Sequence, residues 1–240
     1  MLKLDILVLS VHPDDAELGC AGTILKHNAL GYKTGIVDLT RGELGTRGSA
    51  EIRDKEAAES GRILGLAARE NLGIPDGFFE NTKEYQLKIV EMIRKYQPEI
   101  VITNAYHDRH PDHGRANKLV EDAAFLAGLR KIETIYNGET QKEWRPKQVL
   151  HFIQDNYIRP DILVDVTNFW DKKIESIHAF GSQFHNPEWE NEPQTYISSP
   201  EFIQVVEARA REFGKSIGVK FAEGFTSKKI LGVDSLFDLR

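Results

Sequence analysis

The sequence predicts an α/β fold, a mostly parallel sheet with helices on both faces, on three observations. Short runs rich in Ile, Leu and Val recur at residues 4–11, 33–39 and 99–103, the pattern of strands covered on both faces. Stretches long enough for crossover helices lie at residues 16–30, 50–66 and 82–96. One His-Asp motif follows the first strand directly and a second lies a few residues past the strand at 99–103, where an open sheet binds its ligands. One domain over residues 1–240 is expected, since single α/β domains often reach about 250 residues.

The elements follow in order. After the first strand, the helix at 16–30 is stopped by Gly31, whose position favours left-handed backbone. The second strand, 33–39, leads into a Gly-rich loop over 40–49 and a helix carrying Ile52, Ala57, Ile63 and Leu64. Residues 69–74 read as a short third strand. The helix at 82–96 stops before Pro98, and Ile100, Val101 and Ile102 mark the next strand. Beyond it lie apolar runs at 149–153 and 162–166, a helix at 170–180, and a loop rich in Pro, Asn and Ser over 186–200. A last helix is expected to open with Ser199 as N-cap and Pro200 at N1. The whole reads as Rossmann-like, its less regular C-terminal third adding strands and walls to the same sheet.

Composition narrows the function. With 40% hydrophobic and 28% charged residues and no biased tract, the chain can bury a sizeable core. A net charge of −6 argues against nucleic acid as a partner. Cys20 is the only cysteine, which excludes an intrachain disulfide and a Cys-based zinc site. Asp5 interrupts the apolar N-terminus and no cleavage pattern follows, so it reads as a strand rather than a secretory segment. No stretch approaches the ~20 apolar residues of a membrane helix, and a soluble, cytoplasmic protein with no membrane partner is expected.

The chemistry sits in His12-Pro13-Asp14-Asp15 and His110-Pro111-Asp112-His113. Together they offer His12, Asp15 and His113 as two imidazoles and a carboxylate, the ligand set of many catalytic zinc sites, which keep a position open for water. The same set suits non-haem Fe(II), so zinc and iron both stay open. Asp14, beside a ligand, can act as general base on the zinc water, whose pKa the metal lowers from ~16 towards ~7. His110 can donate to the oxyanion and protonate the leaving nitrogen, with Asp112 holding that imidazole charged and oriented. Taken singly, each motif is more often a turn whose Asp caps the next helix; the pairing at two strand ends makes the metal case.

With Glu17 and Gly19, the two motifs resemble those of the LmbE-like (PIG-L) zinc N-deacetylases of N-acetylglucosaminyl conjugates. The resemblance runs nearly end to end. The segments 40–48, 51–53, 182–184 and 194–202 resemble the bacillithiol-biosynthesis branch, whose substrate is N-acetylglucosaminyl L-malate. It implies zinc on His12, Asp15 and His113, Asp14 as base and His110 as acid or electrostatic partner. It also implies Arg53 at the substrate mouth, where a guanidinium can grip a carboxylate bidentately, and Tyr196 as a mobile tyrosine reaching the oxyanion. The expected partner is a small-molecule sugar conjugate, and the resemblance leaves a homo-oligomer open. A diacetyl disaccharide is the alternative substrate. A metal phosphoesterase, or a non-catalytic sugar- or nucleotide-binding module, is the competing class.

Other residues have blander readings. Arg53 could pair with Glu56 on its helix, and Tyr196 could pack under a loop. The loop over 42–48 lacks a dinucleotide or P-loop signature and reads as a rim that orders around a sugar. His27, His107, His151 and His178 fit structural roles.

Overall fold

A seven-stranded sheet organises the computed structural model, which describes residues 2–239. The strands are β1 (Ile6–Ser10), β2 (Thr34–Asp38), β3 (Ala68–Asn71) and β4 (Ile100–Thr103), then a separate hairpin β5 (Ile135–Tyr136) and β6 (Glu139–Thr140). They continue with β7 (Gln148–Phe152), β8 (Ile162–Asp165) and β9 (Ala222–Ser227). The sheet order is β3-β2-β1-β4-β7-β9-β8. The five strands from β3 to β7 run parallel, and β9 lies antiparallel between β7 and β8.

Among the described residues, six α-helices cover the sheet: α1 (Asp15–Ala29), α2 (Ala50–Leu64), α3 (Lys83–Tyr96), α4 (Pro111–Ala127), α5 (Trp170–His178) and α6 (Phe202–Ser216). Successive side chains of a strand face opposite sides. Leu7 and Leu9 of β1 accordingly pack with Ile89 and Ile93 of α3 and Leu119 of α4, while Ile6 and Val8 pack with Ala16, Ala21 and Ile24 of α1. Burial on both faces accounts for the unbroken apolar runs of these strands.

Three features depart from expectation. Helix α4 was not foreseen, although its start is well marked: Pro111 takes the first helical position and the His110 ring accepts from the Asp112 backbone N–H. Helix α6 begins at Phe202, behind Glu201 and without a side-chain cap, so Ser199 does not open it. Strand β9 gave no signal, because Ala222-Glu223-Gly224 lacks the β-branched run of the other strands. The last third does extend the sheet as expected. Among the described residues, no helix is long and apolar enough to cross a membrane.

One packing feature bears on the site. Helix α1 breaks its helical dihedrals at Cys20 (φ −148°), leaving N–H groups beyond the kink and a carbonyl before it without helical partners. A buried ion pair from the far end of the chain serves both. Glu223 accepts from Gly22 N (2.9 Å) and Thr23 N (2.7 Å), and Lys173 Nζ donates to Leu18 O (2.8 Å) and Glu223 Oε1 (2.6 Å). Gly19 lies at the same kink because the Phe152 ring fills its Cβ position, 2.2 Å from a built Cβ. Removing one member strands the other in a buried site. Glu223→Leu is expected to cost about 3–5 kcal/mol in denaturant unfolding; a loss below 1 kcal/mol would show that the pair does not hold the kink.

Candidate metal centre and active site

The chain leaves β1 towards β2 on one side, and β4 lies on the other, so the carboxyl ends of β1 and β4 flank the point where the strand order reverses. Val11 N donates to Asn104 Oδ1 (3.0 Å) and ties the two ends together. Both sequence motifs lie here. His12 to Asp15 run from β1 into α1, and His110 to His113 open α4.

The side chains are held from several elements. Asp15 Oδ2 accepts from His12 N (2.9 Å) and Asn104 Nδ2 (3.1 Å), and Oδ1 accepts from Gln154 Nε2 (2.7 Å). Each oxygen also faces an imidazole: His12 Nδ1 lies 3.4 Å from Oδ2 and His113 Nε2 lies 3.2 Å from Oδ1. The remaining ring nitrogens meet carboxylates, His12 Nε2 at Asp76 (2.9 Å) and His113 Nδ1 at Asp108 (2.6 Å). A carboxylate on the outer nitrogen fixes the tautomer and aims the other nitrogen, the arrangement behind metal-binding histidines. Sequence reasoning missed Asp76 and Asp108. Each had a faint local sign, Asp76 in a Pro-Asp-Gly turn and Asp108 two residues before His110.

The electrostatics follow from this enclosure. Burial disfavours the charged imidazoles, yet the surrounding carboxylates outweigh it: His12 is raised well above its ordinary value and His113 to about 9. Burial acts against the Asp15 anion, but His113 and His12 hold its carboxyl well below the usual range. Asp14 behaves differently. Burial raises its carboxyl to about 7, against the pull of Arg53, with Asp15 adding repulsion. Its backbone is also strained, at φ 123°.

Several expected contacts take another form. Arg53 is 5% exposed, and its Nη2 donates to Asp14 Oδ2 (2.8 Å) and Pro13 O (2.5 Å). It therefore steadies Asp14, and Glu56 bonds Ser182 instead. Asp112 does not hold the His110 imidazole charged. Its fully buried carboxylate accepts from Gly77 N (2.9 Å) and Arg115 Nη1 (2.6 Å), and its Oδ2 lies 3.7 Å from His12 Nε2. His110 receives only the Asp112 backbone N–H at Nδ1 (3.3 Å), and burial together with His12 and His113 lowers its pKa. The His110 ring does join the cluster, 4.8 Å from His12 and 5.3 Å from His113 between centroids. Tyr196, 47% exposed, sits at the rim, where its hydroxyl donates to Asp155 Oδ1 (3.2 Å) under the Arg109 guanidinium.

The donor set suits a divalent cation. Among the described residues, two sets of potential ligand atoms lie within 4.8 Å of one another, His12–His110–His113 and His12–Asp76–Asp112, while Asp15 reaches the two expected histidines through different oxygens. The buried Asp14, Asp15, Asp76 and Asp112 face two guanidiniums, those of Arg53 and Arg115. The rest of that negative charge is met by the protonated His12 and His113 rings, a charge that a divalent cation bound by the same nitrogens would supply in place of the protons.

A doubly wound sheet whose reversal point gathers imidazoles and carboxylates in this way is the architecture of a metal-dependent α/β enzyme. The profile of the PIG-L family, described as GlcNAc-PI de-N-acetylase, matches residues 7–124. The crystal structure of the conserved protein TT1542 from Thermus thermophilus superposes with a TM-score of 0.85 at 38% identity, covering 96% of this chain and 98% of that one. The diacetylchitobiose deacetylase of Thermococcus kodakarensis is 28% identical over 91% of this chain and 81% of its own. A probable N-acetyl-α-D-glucosaminyl L-malate deacetylase 2 of Bacillus anthracis is 28% identical over 75% and 81%. The chain belongs to the PIG-L family of de-N-acetylases.

Asp108→Ala removes the carboxylate behind His113 and is expected to weaken zinc binding about 10–100-fold with the fold retained, measured by competition with a chromogenic chelator. Unchanged affinity would mean that Asp108 does not orient that histidine for a metal.

Proposed function

We propose that the chain removes the acetyl group from an N-acetylglucosaminyl conjugate, with N-acetylglucosaminyl L-malate as the favoured substrate. The observation that carries this reading is the placement of Asp14: a buried carboxylate in strained backbone, steadied by Arg53, immediately beside the paired imidazoles. His12, Asp15 and His113 would hold the metal, zinc or iron, with the nearby His110 ring the alternative third donor. When bound, the metal supplies Lewis acidity for the amide carbonyl and makes a water acidic enough to attack near neutral pH.

The chain's own residues supply the rest. Asp14 accepts the proton of the attacking water as the new C–O bond forms. Arg53 keeps that carboxylate in place. His110 Nδ1 accepts a backbone N–H, so in the neutral ring the proton sits on Nε2, available as a donor to the developing oxyanion. As the C–N bond breaks, the proton taken up by Asp14 passes to the leaving amine, giving acetate and a free glucosamine. Tyr196 would need to leave Asp155 to reach the same oxygen, as a mobile rim residue could.

The malate conjugate is supported by the four segments of resemblance and by the Bacillus anthracis relative. Three of those segments meet in the fold, where Gln183 Nε2 donates to Arg47 O (2.8 Å) and Arg53 Nη1 packs against Gly42 and Gly45. The deciding experiment measures acetate release from N-acetylglucosaminyl L-malate, diacetylchitobiose and free N-acetylglucosamine, with and without chelator. Release from the malate conjugate, abolished by chelator, is expected; preference for the disaccharide would transfer the assignment to that substrate. Asp14→Asn is expected to keep its metal and lose at least about 100-fold in kcat, and loss of metal would make Asp14 a ligand. His110→Ala should likewise retain metal; an apo protein would make His110 the third donor.

A further inference from the structure

Beside His113 a cavity of about 50 Å³ lies between α1, α6, β9 and the chain leaving β7. Two of its lining groups belong to the candidate centre: His113, which faces Asp15, and Gln154, which donates to Asp15. Its other charged lining includes the Lys173–Glu223 pair, already satisfied by each other and by the α1 backbone. Most of the wall is apolar, with Leu18, Ile153, Val206, Ala210, Phe213 and Ala222.

The amide carbonyl carbon carries two substituents, the sugar nitrogen and the acyl chain. The sugar brings hydroxyls that need partners, and an apolar wall would leave them unsatisfied. Of the other polar groups lining the cavity, Arg109 is paired with Asp155, Gln154 with Asp15 and Arg209 with the backbone carbonyls of residues 154–156, whereas Arg47, Gln183 and the loop over 42–48 lie outside it beside Arg53 and Asp14. An alkyl group loses nothing against such a wall and gains by leaving water. A space of this size holds a short extension, roughly two methylene groups, rather than a fatty chain.

We propose that this cavity is an acyl pocket and that the chain hydrolyses N-propionyl and N-butyryl glucosaminides at least as well as the N-acetyl compound. The inference rests on the deacetylase reading and adds the acyl class of the substrate. An alkyl chain extending from the acetyl methyl enters between Ile153, Val206 and Ala210, while the bonds made and broken remain those of acetyl transfer to water.

The test compares kcat/KM for N-acetyl, N-propionyl and N-butyryl forms of one glucosaminide on the metal-loaded protein. Butyryl is expected to equal or exceed acetyl, by up to about fourfold per methylene. Ala210→Leu should lower butyryl turnover at least tenfold and change acetyl turnover less than twofold. If that variant does not fold, Val205→Phe serves, because Val205 lines the cavity yet is 44% exposed. As a readout apart from turnover, butyrate should inhibit more strongly than acetate, and the difference should vanish in the variant. Acetyl cleavage with weaker butyryl cleavage, or variants that treat both substrates alike, would overturn the pocket while leaving the deacetylase reading standing. Cleavage of none of the three would overturn that reading itself.

Discussion

The site depends on one electrostatic constraint: carboxylates buried at the end of a parallel sheet, with too few fixed cations to neutralise them. Asp14, Asp15, Asp76 and Asp112 are all buried, and Arg53 and Arg115 answer only Asp14 and Asp112. The imbalance binds the two imidazoles into place, since each is flanked by carboxylates at both nitrogens. It also explains why the clustered charges and their supporting residues come from so many parts of the chain. Only loops converging on the reversal point can bring that many charges to one spot, and the β1–β4 junction is where they converge.

Within that field the two neighbouring aspartates are set apart. Asp15 is surrounded by donors, Asn104, Gln154 and the His12 backbone, which favour its anion. Asp14 has Arg53 and little else, and its carboxyl is raised to about 7. Opposite shifts on adjacent residues leave one carboxylate that keeps its charge and one that can take up a proton near neutral pH.

The legibility of the molecule in its sequence follows the range of the interactions. Strands buried on both faces and the two His-Asp motifs are local patterns, and β1, β2, β4 and the motifs stand where the sequence put them. Asp76 and Asp108 were invisible because their roles are tertiary; Asp76 reaches His12 across 64 positions of sequence. Arg53 could be singled out, yet its partner could not, since Asp14 and Glu56 are equally good carboxylates on paper. Asp112 was misread for a geometric reason: its backbone N–H caps towards His110, which sends its side chain across to Gly77 and Arg115. Strand β9 escaped notice because its place in the sheet is fixed by neighbours on both edges rather than by its own composition.

That strand has a consequence for how the protein is made. Residues 222–227 slot between β7 and β8, and Glu223 reaches back 201 positions to Gly22. A ribosome delivering the chain from its N-terminus exposes α1 long before the segment that braces it has been synthesised. The nascent protein can assemble the parallel half of its sheet early, but the helix bearing Asp15 waits for Glu223, some two hundred residues behind it, to emerge. Contacts this distant in sequence make folding slow and keep apolar surface uncovered meanwhile.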